Sequence, residues 1–218
     1  MKRKILVAGL GLIGGSIAKG IAMSEENHVI GYDTNKESLK YALENGIIHE
    51  SYTCFTEASM QADIIFLAAP ISETIKLMHQ LNDISFDHEV IVTDVSSVKG
   101  SILKTAQELT NPNITFIGGH PMAGSHKEGV RAAKAHLFEN AIYVLTPTQK
   151  CSEVKISILK DVLKQTKSRF LILEPQEHDE MTSVISHFPH LIASSLVHQA
   201  RNLEDRHAYF PELAAGGF

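Results

Sequence analysis

The chain has 218 residues, 44% of them hydrophobic and 21% charged, and a formal net charge of −5. A chain of this length buries roughly 70% of its unfolded surface, so it needs no staples. The acidic balance gives no footing for a nucleic-acid or acidic-membrane partner, and no apolar run approaches the ~20 residues that span a bilayer.

In chain order, 4–9 (KILVAG) predicts a strand, 14–24 a helix, 28–33 (HVIGYD) a strand and 35–45 a helix. The alternation continues with strand 63–69 (DIIFLAA), helix 71–82, strand 89–95 (EVIVTDV), helix 97–109, strand 114–119 (ITFIGG) and helix 126–138. Strand 141–147 (AIYVLTP), helix 153–166 and strand 169–174 (RFLILE) complete it. Several strands are short and almost continuously apolar, as strands buried on both faces of a parallel sheet are. Repeated strand–helix–strand units with right-handed crossovers make an α/β, Rossmann-type, doubly wound and mostly parallel sheet.

The character changes after Pro175. From Gln176 to about Asn202 no strand signal occurs, while Met181, Val184, Ile185, Phe188, Ile192 and Leu196 recur at helical spacing. Pro189 is expected to kink or restart that helix. The expected division is therefore a nucleotide-binding domain over 1–174 and the beginning of an all-helical domain over 175–218. Some 45 residues make a thin core, so the helical part is expected to be truncated after Phe218 or completed by a partner subunit.

The N-terminus, MKRKILVAGLGLIGG, has the basic start and apolar stretch of a signal peptide, but its glycines and the lack of a fitting cleavage site favour a buried strand and turn. Cys54 and Cys151 are the only two cysteines and lack CxxC spacing, which suits a reducing cytosol. Asn113-Ile114-Thr115 matches a glycosylation triplet but carries no weight without a secretory signal. His178, His187 and His190 do not fall on one helical face, so no metal site is expected.

The chemistry starts at Gly9-Leu10-Gly11-Leu12-Ile13-Gly14, which follows a strand and opens a helix. In that setting Gly9 permits the tight turn, Gly11 lets backbone approach a pyrophosphate, and Gly14 lets helix and strand pack closely. The first helix then offers unpaired N–H groups and its positive dipole end to phosphate. Asp33 ends the second strand 19 residues after Gly14, where an acidic side chain meets the adenosine ribose hydroxyls. The plainer alternative, that Asp33 caps the next helix, is countered by a capping box in Thr34-Asn35-Lys36-Glu37. A carboxylate there repels the 2′-phosphate of NADP, and no Arg follows it, so the expected cofactor is NAD. The expected contacts are Gly9, Gly11, Leu12, Ile13, Gly14, Asp33 and Ser96.

In an open parallel sheet ligands sit beyond the carboxyl ends of the strands at the switch point. With the switch between the first and fourth strands, the ends of 89–95 and 114–119 should flank the nicotinamide. Those ends read Asp94-Val95-Ser96-Ser97-Val98-Lys99 and Gly118-Gly119-His120-Pro121-Met122-Ala123-Gly124-Ser125. His120 is the imidazole there, able to take a hydroxyl proton near neutral pH as hydride leaves. Ser97 is placed to bond the same hydroxyl or the cofactor carboxamide. The plainer alternatives are that Ser97 is a helix N-cap and His120 a turn residue locked by Pro121.

Four segments, GLGLIGGS at 9–16, DVSSVK at 94–99, GGHPMAGS at 118–125 and SHFPHLIA at 186–193, resemble the prephenate dehydrogenase family in order and spacing along essentially the whole chain. The resemblance implies oxidative decarboxylation of prephenate to 4-hydroxyphenylpyruvate in tyrosine biosynthesis, with arogenate the substrate in some members. It implies His120 as the acceptor on the ring hydroxyl and Ser97 beside the nicotinamide and that hydroxyl. His187 falls on a histidine lining the substrate pocket, and Gly124 and Ser125 join Ser97 and His120 as expected substrate contacts. A cytoplasmic homodimer through the helical region is the family expectation.

Two departures accompany this. Family members carry, shortly after the GGF segment, an arginine that grips a prephenate carboxylate, and this sequence stops at Phe218. Residues 1–218 alone are therefore expected to bind NAD but turn over poorly. His126 stands where some members have a glutamate. Of the rival readings, a β-hydroxyacid dehydrogenase would rely on a lysine in the helical part rather than on HPMAG. An NAD-sensing regulator would bring a helix-turn-helix or a basic patch, and neither is visible.

Overall fold

The computed structural model describes residues 2–149 and 151–204. The chain divides into two compact units, Met1–Pro175 and Gln176–Phe218.

The first unit is an eight-stranded sheet interleaved with helices. Its strands are β1 (Arg3–Ala8), β2 (Asn27–Tyr32), β3 (Glu50–Tyr52), β4 (Ile64–Leu67), β5 (Val90–Asp94), β6 (Ile114–Pro121), β7 (Ile142–Pro147) and β8 (Arg169–Ile172). The helices between them are α1 (Leu12–Ala22), α2 (Lys36–Glu44), α3 (Phe55–Met60), α4 (Ile71–Asn82), α5 (Gly100–Gln107) and α6 (Glu153–Val162). The order across the sheet is β3-β2-β1-β4-β5-β6-β7-β8. All neighbours are parallel except β6 and β7.

The apolar runs make both sheet faces cores. Along β1, Ile5 and Val7 join one cluster with Ile17 and Ile21 of α1, Leu39 and Ala42 of α2, and Leu159 and Val162 of α6. Leu6 and Ala8 join the opposite cluster with Phe55 of α3, Leu77, Met78 and Leu81 of α4, and Ile102 and Leu103 of α5. This period-2 division places helices on both faces, the doubly wound arrangement.

Several details differ from the sequence-based expectation, the first being helix α3, which no expected element covers. β3 is an additional strand, three residues long (Glu-Ser-Tyr) with no apolar run to announce it. It shifts the strand count, so the switch point beside β1 is occupied by β4, and the segment expected there, 89–95, is β5, one strand further out. The segment 126–138 is not an α-helix. Gly129 adopts φ +77°, only Val130–Ala132 forms a single 3₁₀ turn, and Val130, Ala133 and Phe138 are nonetheless buried. Finally, α5 begins at Gly100 rather than at 97.

The second unit is helical: α7 (Pro175–Thr182), a π-helical turn (Ser183–His187) and α8 (Phe188–Glu204). Proline at position 189 cannot donate to the carbonyl four residues back, and the wider π turn falls immediately before it. Phe188, Leu191, Ile192, Leu196 and Val197 of α8 are exposed. The terminal segment Ala214–Phe218 lies outside the described residues. No helix among the described residues is long and apolar enough to cross a membrane.

Candidate active site

The parallel register brings four strand ends to one edge of the sheet. Ala8 aligns with Leu67, Leu67 with Asp94, and Thr93 with Ile117. One step beyond these, Gly9, Ala68, Val95 and, by the same register, Gly119 therefore form a row. At ~4.8 Å per strand, that row runs roughly 14 Å from the glycine loop to the His120 segment.

At the first end, Gly9 has φ +100°, a region L side chains rarely adopt, and a Cβ there would sit 2.6 Å from the carbonyl oxygen of Ala68. A Cβ on Gly14 would sit 1.9 Å from the Gly9 carbonyl oxygen and 2.8 Å from Cβ of Ala68. A Cβ on Gly11, by contrast, would meet nothing within 4 Å. Gly11 is also the N-cap of α1, makes no side-chain capping bond, and is followed by no acidic residue in the first turn. Leu12 and Ile13 open that helix. The loop thus presents open space and an uncapped, positively polarised helix end to a phosphate.

Asp33, partly buried, accepts hydrogen bonds from the backbone N–H of Leu10 (2.6 Å) and of Asn35 (2.7 Å). It ties the glycine loop to the turn into α2. The expected capping box is displaced by one residue: Asn35, not Thr34, is the N-cap, and its Oδ1 accepts from Glu37 N and Ser38 N. Asp33 is accordingly not the cap. Each of its oxygens takes one backbone donor and keeps a lone pair for a further one.

At the third end, Ser96 lies just past β5, and its Oγ is buried with no hydrogen-bond partner among the described residues. Ser97 is exposed in a bend three residues before α5, whose N-cap is Lys99, so Ser97 is not a helix cap. Asp94 and Lys99 are fully buried and paired, Nζ to Oδ2 at 2.5 Å. The sequence motif DVSSVK by itself assigns neither charge a part. A lysine among serines ordinarily reads as solvated, and only its burial reveals otherwise.

At the fourth end, β6 pairs with β5 through Ile117 and with β7 from Ile117 to Pro121, where His120 stands opposite Val144. His120 is thus within the strand rather than in the turn after it, and is partly exposed. Gly124 and Ser125 lie exposed in the following loop, where Ser125 Oγ accepts the N–H of Lys127. Tyr143 of β7 is fully buried and lacks a bond to its hydroxyl among the described residues, and burial together with the Asp94 charge pushes its pKa up.

His187 lies in the second unit, exposed within the π turn. His178, of the same unit, is buried, with its ring nitrogens facing Asp179 Oδ1 and Thr182 Oγ1. The described residues contain no cluster of three or more His, Cys, Asp or Glu suited to a metal.

The open cradle at Gly11, the oriented Asp33 carboxylate and the orphaned Ser96 hydroxyl fit an adenine dinucleotide laid along this edge. Ala68, whose backbone and Cβ form the floor beneath Gly9 and Gly14, is a further part of the site that residue type alone did not disclose.

Comparison with known proteins gives two family-model matches: "Prephenate dehydrogenase, nucleotide-binding domain" over residues 17–172 and "Prephenate dehydrogenase, dimerization domain" over residues 174–218. A curated prephenate dehydrogenase of Bacillus subtilis (strain 168) is 44% identical over 222 residues, and the chain spans 59% of its length. The solved prephenate dehydrogenase of Aquifex aeolicus, in complex with hydroxyphenyl propionate and NAD+, superposes with a TM-score of 0.84 at 30% identity. That match covers 93% of this chain and 70% of that one. The arogenate dehydrogenase of Synechocystis gives 0.82 at 33% identity, over 99% of this chain and 76% of its own.

Proposed function

The chain belongs to the prephenate dehydrogenase family, and from that premise we propose that it carries the NAD-binding and catalytic residues of an enzyme that oxidatively decarboxylates prephenate to 4-hydroxyphenylpyruvate in tyrosine biosynthesis. The observation that carries this reading is His120 at the end of β6, on the same sheet edge as a glycine loop built for a dinucleotide. Residues 1–174 form the nucleotide-binding domain and 175–218 open the helical one.

When bound, NAD+ supplies the acceptor for the hydride that leaves the hydroxyl-bearing ring carbon. His120 accepts the proton of that hydroxyl, which strengthens the push toward carbonyl character. The bond to the ring carboxylate breaks, CO2 departs, and the ring aromatises. Ser97 donates to or accepts from the same hydroxyl or the nicotinamide carboxamide. Gly124 and Ser125 of the first unit are substrate contacts in this reading, as is His187 of the helical unit. Leu12 and Ile13 offer backbone N–H groups to the pyrophosphate together with Gly11 and Gly14, while Gly9, whose own N–H bonds the Tyr32 carbonyl, supplies the turn, and Ser96 bonds the nicotinamide half through its buried hydroxyl.

The exposed apolar side chains of α8 support a homodimer through the helical region, since water-facing Phe188, Leu191 and Leu196 are what an interface covers. A cytoplasmic setting agrees with the two free cysteines.

The deciding experiment follows NADH formation at 340 nm with prephenate, with arogenate and without substrate, on the longest available form of the protein. Turnover with prephenate is expected. Turnover with arogenate alone would reassign the substrate, and a flat trace with both despite NAD binding would overturn the reaction.

Asp33 allows a separate check on the cofactor. Asp33→Ser is expected to weaken NAD binding by about 10- to 100-fold, the equivalent of one charge-assisted bond lost. NADP binding should strengthen as the repulsion goes. Titration of the reduced cofactors, NADH and NADPH, followed by their nicotinamide fluorescence, reads this, and an unchanged NADH-to-NADPH affinity ratio would remove Asp33 from the ribose site.

A further inference from the structure

We infer that the buried Asp94–Lys99 pair is a positioning device that sets the backbone carrying His120, with Lys99 the residue that closes it. The inference rests on the reading of His120 as the catalytic imidazole.

The backbone ladder between β5 and β6 ends at Thr93 opposite Ile117. From there the two strand ends are joined by side chains instead. Asp94 Oδ1 accepts the N–H of Gly119 at 3.0 Å, and Lys99 Nζ donates to the carbonyl of Gly119 at 2.6 Å. That carbonyl belongs to the peptide bond into His120, so both backbone groups of Gly119 are captured by one ion pair. Asp94 Oδ2 also accepts the N–H of Ser96 at 2.9 Å, which orients the bend bearing Ser97. A single pair thus gathers the two strand ends that carry the candidate chemistry.

The neighbouring glycines make room for it. A Cβ on Gly118 would fall 2.1 Å from Thr146 Oγ1 and 3.4 Å from Cδ of Lys99, and a Cβ on Gly119 would fall 2.6 Å from the Asp94 carbonyl oxygen. Strand alternation puts His120 on the Gly118 side of β6, the side along which the Lys99 stem runs. Both charges are completely buried. Burying an ion pair forfeits hydration that a well-packed apolar pair would not forfeit, so stability is a poor reason to keep it. An apolar pair, however, cannot bond the Gly119 carbonyl.

The test compares wild type, Lys99→Met and the double variant Asp94→Asn/Lys99→Met, which removes both charges. In Lys99→Met, kcat is expected to fall roughly 100-fold, the scale of an ångström-sized misplacement. KM for NAD should stay within about threefold, because the glycine loop is untouched. Lys99→Met leaves a buried carboxylate unpaired and is expected to melt early. The double variant should regain the melting temperature without regaining kcat. Wild-type kcat in Lys99→Met, or recovery of kcat along with stability in the double variant, would overturn the inference.

A second arm needs no turnover. In ligand-free protein labelled with ¹⁵N, the double variant should shift the His120 ring nitrogens and speed hydrogen exchange at the Gly119 amide. Unmoved His120 resonances would sink the positioning role. Absence of wild-type turnover with either substrate would instead count against the functional reading, and this arm would still decide the inference.

Discussion

His120→Asn is expected to lower turnover by about 10²- to 10⁴-fold, the span a general base commands, while leaving NAD binding close to wild type. Asparagine is near the imidazole in size and keeps a hydrogen-bonding end, so the β6–β7 register around Val144 should persist. What it loses is the ability to take a proton near neutral pH. The glycine loop is roughly three strand spacings away. Steady-state rates on the longest form of the protein, paired with a cofactor titration of the same preparation, separate the two effects. Equal rates in variant and wild type would remove His120 from the mechanism; loss of cofactor binding would reveal a structural role instead.

The second large effect divides two glycines that look alike in the motif. Gly14→Ala places a methyl 1.9 Å from a backbone carbonyl and 2.8 Å from Cβ of Ala68, and neither obstacle is a flexible side-chain tip. Helix α1 must then shift against β1 and β4, at a cost of about 3 kcal/mol, or roughly 6–12 °C in melting temperature for a domain of this size. Gly11→Ala meets nothing in the ligand-free protein, and its φ of −80° suits any residue. Its melting temperature should therefore hold, while NAD affinity falls at least tenfold because the new methyl enters the space the pyrophosphate approaches. Thermal unfolding and cofactor titration on both variants check this. A Gly14→Ala protein as stable as wild type would contradict the packing, and full NAD affinity in Gly11→Ala would contradict the cradle.

Much of this was legible in the residues because it depends on local pattern. The apolar runs of β1, β4 and β5 announce strands buried on two faces, and the glycine spacing announces the turn between β1 and α1. What escaped depends on partners distant in sequence. β3 is held as a strand by its pairing with β2, and its three polar-rich residues show no periodicity of their own. Missing it moved the expected switch point by one strand. The apolar spacing in 126–138 is real, but Gly129 at positive φ diverts the chain, and Val130 and Ala133 are buried without a helix, close against Gly15 of α1. The displaced start of α5 has a similar origin. Its N-cap, Lys99, is drawn inward to Asp94 and Gly119, the latter 20 residues further along, and Ser97 is left outside the helix.

The floor of the glycine loop bears on how the protein is made. Gly9 and Gly14 rest on Ala68, which arrives only when β4 pairs with β1, joining Ile5 to Ile64 and Ala8 to Leu67. A nascent chain that has emerged only as far as Asp33, just past β2, already holds the whole motif and its carboxylate, yet lacks the surface on which the loop is shaped. Such long-range pairing forms late because its closure entropy must be overcome first. Dinucleotide capture is therefore acquired when β4 closes onto β1, and the cofactor, once bound, holds that contact shut.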